Sequence, residues 1–135
     1  MKTRLSLVFA MLTLFIIQQI NFAQDINNIY PYLEKLCMEL HQYPELSLQE
    51  SKTSQRIGEE LRILGFEVTE KFGGYGLVGI LKNGEGKKLL IRTDMDALPI
   101  EENTGLPYAS KNKGVMHACG HDIHMSVFIG VANLL

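Results

Sequence analysis

Apolar residues recur at three- and four-residue spacing in two neighbouring stretches, and this period is typical of amphipathic helices. In the first stretch they are Tyr32, Leu33, Leu36, Cys37 and Leu40. In the second stretch they are Ile57, Leu61 and Leu64. We expect the first helix to end near Tyr43-Pro44. Ser47 and Glu50 have the spacing of a capping box for the second helix, and Gly65 is a natural residue to end it.

Three strands are predicted next. Residues 66–72 alternate apolar and polar positions, residues 77–81 follow a glycine-rich break, and residues 88–93 form the third strand. The Asn83-Gly84 turn before the third strand predicts a β-hairpin. Leu89-Leu90-Ile91 is apolar without interruption, which predicts a strand that is buried on both faces.

The last part of the chain combines an irregular segment, residues 99–114, with a predicted helix over residues 122–135. This helix is apolar nearly all round, as a buried helix is. The order helix, helix, three strands, loop and helix predicts an α/β layered sandwich with a mixed sheet. Because the final residues lie inside an apolar helical pattern without a cap, we expect the chain to be a truncated part of a longer domain.

The first residues have a different pattern. Lys2 and Arg4 precede an apolar run over residues 5–17, and Ala23 is a small residue that suits cleavage. This order predicts a secretory signal peptide over residues 1–23 and export to the periplasm or beyond the cell. The alternative is a membrane-anchoring helix, but the run is shorter than the roughly 20 residues that span a membrane. We expect no stable membrane insertion after cleavage.

Composition and charge exclude one class of partner. The 135 residues are 46% hydrophobic and carry a formal net charge of -2. Basic residues are scattered, and no stretch forms a polybasic run. We therefore expect no nucleic-acid partner.

Candidate chemistry begins directly after the third predicted strand. Asp94 and Asp96 are two residues apart, so on a strand their side chains face the same way. Ligands gather beyond the carboxyl ends of strands in open α/β sheets. The two carboxylates are thus a candidate site, and an ordinary turn with two solvated aspartates is the alternative.

Residues 117–124 contain three of the four histidines and one of the two cysteines. Thiolate and imidazole are ligands of zinc and of neighbouring divalent metals. Gly120 gives Cys119 and His121 the backbone freedom to share an ion. The alternative is a structural turn with a Cys37–Cys119 disulfide, since export allows one.

Three further polar residues have open roles. Asp122 lies where a helix N-cap belongs, and a catalytic role is an equal alternative. His124 is a candidate metal ligand, a partner of a ligand or a substrate contact. His41 is interpreted from its position as a favourable charge at a helix end.

Three blocks in fixed order resemble a known family: residues 40–50, residues 92–108 and the Met-His-Ala-Cys-Gly-His-Asp block that starts at Met116. The family is that of the aminoacylase and carboxypeptidase metallopeptidases. The subfamily contains hippurate hydrolases, auxin-conjugate (IAA-amino acid) hydrolases and N-acetyldiaminopimelate deacetylases. The resemblance covers nearly all of residues 24–135, although Thr93 stands where alanine is usual.

The resemblance implies roles for the candidate residues. Cys119 and His121 match metal ligands, which favours a metal-bound thiolate over a disulfide. Asp96 matches the catalytic aspartate. Asp94, His124 and His41 remain candidates for residues that hydrogen-bond to the metal ligands or that contact the substrate.

The resemblance also implies an architecture, a three-layer sandwich of the zinc-exopeptidase type. Residues 24–135 would be the N-terminal part of its catalytic domain, without the C-terminal part and the dimerisation domain. The full-length protein is expected to be a homodimer with two divalent ions per subunit, Zn, Mn, Co or Ni. The general base and remaining ligands are expected after Leu135.

The implied activity is metal-dependent hydrolysis of N-acyl amino acids or similar small amides. The 135-residue chain itself is expected to be inactive. The alternatives are an exported carboxy- or dipeptidase of the same family, a non-catalytic metal-binding module, and a structural domain held by a disulfide.

Overall fold

The computed structural model describes residues 11–13 and residues 26–135. The chain divides into two compact units, Met1–Pro31 and Tyr32–Leu135, and the second unit contains every candidate site residue. The predicted signal peptide lies outside the described residues except for residues 11–13, which are helical. Within the described part of the chain, no helix is long and apolar enough to cross a membrane.

Residues 26–135 contain three helices: α1 at residues 26–42, α2 at Ser51–Ile63 and α3 at His121–Asn133. Their buried apolar residues form the core, which consists of Leu36, Leu40, Ile57, Leu61, Met125, Ile129 and Ala132. Helices α1 and α3 approach closely, since a Cβ at Gly130 would lie 2.7 Å from a methyl group of Leu33. The three helices predicted from the apolar spacing are confirmed.

Both ends of α2 are closed by specific hydrogen bonds, but the predicted capping box is wrong. The backbone N–H groups of Lys52 and Thr53 donate to the carboxylate of Glu45, at 3.3 and 2.8 Å. The Thr53 hydroxyl donates to the same carboxylate at 2.9 Å. Ser47 lies in the turn before the helix, so Glu45 supplies the acceptor that was expected from Ser47.

The C-terminus of α2 follows the prediction. Gly65 has φ +88°, a left-handed conformation that favours glycine. The N–H of Gly65 donates to the Arg62 carbonyl, and the N–H of Phe66 donates to the Leu61 carbonyl. This pair of bonds is the Schellman motif, and it turns the chain from α2 into the first strand.

A two-stranded antiparallel sheet follows, formed by β1 (Glu67–Phe72) and β2 (Gly76–Ile80). The pairing Val68↔Gly79 sets the register, and an irregularity lies between Thr69 and Phe72. The hairpin therefore closes through Gly73 and Gly74, both at positive φ, and the prediction of a hairpin at Asn83-Gly84 is wrong. The glycine-rich break between the first two predicted strands is therefore the turn of the hairpin.

The third predicted strand is also wrong. Residues 87–96 contain no strand, and Leu89 and Leu90 are 82% and 87% exposed. A strand needs a neighbour that accepts and donates backbone hydrogen bonds, and the described residues place none beside this segment. The described part of the chain is thus α/β, with a sheet of two strands.

Helix α3 is buried on one face and exposed on the other. Asp122, Met125 and Ile129 face inward, whereas Ile123 and Val127 are more than half exposed. The helix was predicted to be buried all round, but only its inner face is buried.

Candidate functional site

The turn before α3 presents the predicted ligand pair. Gly120 precedes the helix with φ +79°, which a residue with a side chain rarely adopts. Its carbonyl accepts the His124 N–H at 3.1 Å, so the helix starts directly at His121. This turn places the exposed Cys119 beside the half-buried His121.

His121 is held through one ring nitrogen by Asp96. Its Nδ1 lies 2.8 Å from the Asp96 backbone carbonyl oxygen and 3.0 Å from the Asp96 carboxylate. Both neighbours are acceptors, so Nδ1 carries the proton and donates it. In the neutral ring this tautomer leaves a lone pair on Nε2, the arrangement that metal-binding histidines commonly show.

The segment that carries Asp96 is fixed on both sides. Ala97 donates to the Glu45 carbonyl at 2.7 Å, next to an isolated parallel bridge between Leu46 and Ala97. Leu98 and Met116 exchange two backbone hydrogen bonds, of 2.9 and 3.0 Å. This second pair joins the segment after Asp96 to the segment before Cys119, although the two are far apart in sequence.

Asp94 and His124 have different surroundings. The Asp94 carboxylate accepts a hydrogen bond of 2.5 Å from Arg92 at the surface, while Asp96 contacts His121. The two aspartates thus have separate partners. His124 is exposed, and its ring centroid lies 5.9 Å from that of His121.

Both cysteines of the chain, Cys37 and Cys119, lie within residues 26–135 and are free thiols. The disulfide that we considered is therefore not formed. Burial raises the pKa of the Cys37 thiol, and the negative charge of Asp122 acts in the same direction. Cys119 is exposed, as a residue that contributes to an open site must be.

His41 is not a simple charge at the end of a helix. Its Nδ1 lies 2.6 Å from the Asp122 carboxylate, and its Nε2 lies 3.2 Å from the Glu102 carboxylate. Burial alone would lower the pKa of His41, but the hydrogen bonds and charges of Asp122 and Glu102 raise it overall. The N-cap prediction for Asp122 is wrong, because Gly120 occupies that position and the Asp122 side chain is buried against His41.

His117 was not selected as a site residue, although it belongs to the block around Cys119. It is 4% exposed, and neither ring nitrogen has a hydrogen-bond partner among the described residues. One carboxylate oxygen of Asp122 likewise has no partner there. Burial lowers the pKa of His117, so the ring is neutral at pH 7. Its burial could not be read from residue type or spacing.

The described residues do not contain three or more His, Cys, Asp or Glu side chains grouped so as to hold a metal ion. Cys119 and His121 are nevertheless chemically suited to one, since thiolate and imidazole are preferred zinc ligands. Two such residues supply part of a coordination shell. Other donors must complete it.

Comparison with known proteins places these observations in a family. Residues 90–135 match the model of Peptidase family M20/M25/M40. The chain is 47% identical over 113 residues to thermostable carboxypeptidase 1 of Saccharolobus solfataricus, covering 82% of this chain and 29% of the relative. It is 42% identical over 116 residues to the hippurate hydrolase of Campylobacter jejuni, covering 85% of this chain and 30% of the relative.

A solved structure agrees with the sequence matches. The Bacillus subtilis YXEP protein, a dinuclear metal-binding peptidase of the M20 family, superposes with a TM-score of 0.74 at 40% identity. The superposition covers 80% of this chain and 31% of that protein. Over the segment that it spans, the chain is similar to members of peptidase family M20/M25/M40.

This similarity confirms the resemblance and the α/β fold class. The chain spans about 30% of the length of the curated relatives that it matches. The residues that match the M20 model include Asp96, Cys119 and His121, whereas His41 lies outside them.

Proposed function

We propose that this chain forms the N-terminal part of the catalytic domain of a metal-dependent amidohydrolase. Its substrates would be N-acyl amino acids or similar small amides. The contact of His121 with Asp96, beside the exposed thiol of Cys119, is the observation that carries the proposal. One of the M20 relatives is a hippurate hydrolase, which supports the substrate class.

In this proposal Cys119 and His121 hold divalent metal, with two ions per full-length subunit, drawn from Zn, Mn, Co and Ni. Such ions polarise the scissile carbonyl and lower the pKa of a bound water. Asp96 accepts a hydrogen bond from the Nδ1–H of His121 and so orients the ring with Nε2 toward the metal. We assign no general base among the described residues. Asp94 and His124 remain candidates for contacts with substrate.

A second candidate function is a carboxypeptidase or dipeptidase. The 47% identity to a thermostable carboxypeptidase supports it. Both reactions break a C–N amide bond with the same metal chemistry, and they differ in the group on the acyl side of the scissile bond. A substrate panel separates them.

We also propose that residues 1–23 are a signal peptide and that the mature protein acts in the periplasm or outside the cell. The charged start and apolar run of residues 1–17 support this. A full-length homodimer belongs to the same proposal. The mass of the exported product would show whether cleavage follows Ala23.

The test compares the 135-residue chain with a protein of the relatives' length from the same locus. Both are loaded with each of the four metals and offered acyl-amino acids and dipeptides. We expect turnover of the acyl-amino acids by the longer protein and none by the 135-residue chain. Asp96→Asn should lower kcat/KM of the longer protein about 10- to 100-fold, because a partner of a metal ligand is lost.

Glu85→Gln is the matched control, since Glu85 is an exposed carboxylate in the turn after β2. It should leave kcat/KM unchanged. Faster turnover of dipeptides than of acyl-amino acids would favour the peptidase. If the longer protein binds metal but hydrolyses neither class, the protein is a metal-binding module and the proposed activity is wrong.

A further inference from the structure

His41 lies where α1, α3 and the segment 99–114 meet. One ring nitrogen contacts the Asp122 carboxylate at 2.6 Å, and the other contacts the Glu102 carboxylate at 3.2 Å. Ionised carboxylates only accept hydrogen bonds, so both ring nitrogens must donate and the ring is an imidazolium. The two carboxyl side chains are 4% and 3% exposed, which makes this a buried set of paired charges.

We propose that His41 is a positioning residue, whose imidazolium holds the segment with the metal ligands Cys119 and His121 in place against the rest of the site. We call His41, Asp122 and Glu102 together the His41 clamp. The inference rests on the proposed function, because it assumes that Cys119 and His121 bind metal.

The Asp122 side of the His41 clamp acts on α3. Asp122 directly follows His121 in the first turn, so a fixed Asp122 fixes how that turn is rotated. The turn is also tied internally, because the Ser126 hydroxyl donates to the Asp122 carbonyl at 2.8 Å. A change at His41 should therefore reach His121 through one residue.

The Glu102 side acts on the segment that joins Asp96 to Cys119. The Glu102 carboxylate accepts the Ser110 N–H at 2.7 Å and the Thr104 hydroxyl, so it organises residues 102–110. The Lys111 N–H then donates to the Gln42 carbonyl at 2.9 Å, next to His41. The segment is thus attached to the end of α1 at two neighbouring residues.

Four titratable groups face the His41 ring from the elements around it. They are Asp122 of α3, Glu102 and Tyr108 of the segment 99–114, and His117 before α3. The Tyr108 ring packs edge-on at a centroid distance of 5.6 Å. Two of these groups are negatively charged carboxylates, and the other two are a neutral histidine and a neutral phenol. Together they favour the charged state of His41. When the ring loses a proton, one of its two hydrogen bonds is lost.

The first measurement needs no variant. The ¹⁵N chemical shifts of the His41 ring in the 135-residue chain report the protonation of each nitrogen. We expect both nitrogens to be protonated at pH 7. A neutral ring at that pH, with one bare nitrogen, would overturn the inference.

The second measurement follows metal binding with Co²⁺, whose thiolate charge-transfer band reports Cys119 directly. We expect His41→Gln to weaken Co²⁺ binding about 10- to 100-fold, the range for residues that support metal ligands. Glu102→Gln, which keeps the shape but removes the charge farther from α3, should have a smaller effect in the same direction. Glu85→Gln is again the control.

The pH dependence distinguishes positioning from general support of the fold. The wild type should bind Co²⁺ more tightly than His41→Gln, and this difference in affinity should be complete below pH 6.5. The difference should shrink as the pH rises through the raised pKa of His41. Equal Co²⁺ affinity of the two proteins at every pH would overturn the His41 clamp alone. If the wild-type chain shows no thiolate band at saturating Co²⁺, the proposed metal site is wrong and the inference falls with it.

Discussion

Helix α2 and residues 88–93 both have apolar patterns that predict burial, yet only α2 is buried. Ile57 and Leu61 of α2 are 1% and 0% exposed, whereas Leu89 and Leu90 are more than 80% exposed. The difference lies in what surrounds them. Apolar residues of α1 and α3 cover α2, and the described residues offer no such surface to residues 88–93. An apolar pattern therefore indicates which residues of a segment can be buried. Whether they are buried depends on a neighbouring apolar surface that covers them.

The comparison predicts a large effect of truncation at one place and almost none at the other. Leu61→Ala should lower the free energy of unfolding by about 2–5 kcal/mol, since it removes a fully buried side chain and leaves a cavity. Leu89→Ala should change it by less than about 0.5 kcal/mol, as exposed substitutions do. Urea unfolding followed by circular dichroism measures both. Similar losses at the two positions would show that residues 88–93 are packed in solution.

His41 extends the comparison from apolar to charged residues. Its pKa in the folded chain lies above its ordinary value of 6.5, so its stabilising contribution is complete below pH 6.5 and is lost as the pH rises through the folded pKa. At pH 6 we expect His41→Gln to cost about 1.5–3 kcal/mol, the range for hydrogen bonds to charged groups. At pH 9 the cost should be smaller. A cost that stays constant from pH 6 to pH 9 would contradict the charged state of His41.

The smallest expected effect concerns the start of α2, where Glu45 takes the place that was predicted for Ser47. Glu45→Ala should cost about 0.5–2 kcal/mol, because three hydrogen bonds to its carboxylate are lost. Ser47→Ala should cost less than about 0.5 kcal/mol, since Ser47 is exposed in the turn. Thermal unfolding of the two variants side by side decides between them. The reverse order would restore the capping box.

The features that could be predicted from the sequence depend on local signals. The Tyr43-Pro44 pair and Gly65 end helices where they were expected to, and Gly120 has the positive φ that glycine favours. Each of these results follows from the backbone preference of one or two residues. Whether a surface covers Leu89 depends on tertiary packing, which a local sequence pattern does not predict.

The site divides in the same way. Residue type alone indicated Cys119 and His121 as candidate ligands, spacing indicated Asp96 as a candidate, and the resemblance to a family gave Asp96 a catalytic role. The contact between His41 and Asp122 joins residues 81 positions apart, so neither periodicity nor spacing could predict it. Their partnership depends on how α1 packs against α3, which only the structure shows.

The exposed Leu89-Leu90-Ile91 stretch has a practical consequence for handling the protein. A short run of large apolar residues with unpaired backbone groups is a typical starting point for aggregation. Lys87 and Lys88 precede the run and Arg92 follows it, so like charges oppose the stacking of one copy on another. Salt at about 1 M shortens the Debye length to about 3 Å and removes most of this repulsion. Purification and storage at low ionic strength therefore preserve the protection that the three basic residues provide.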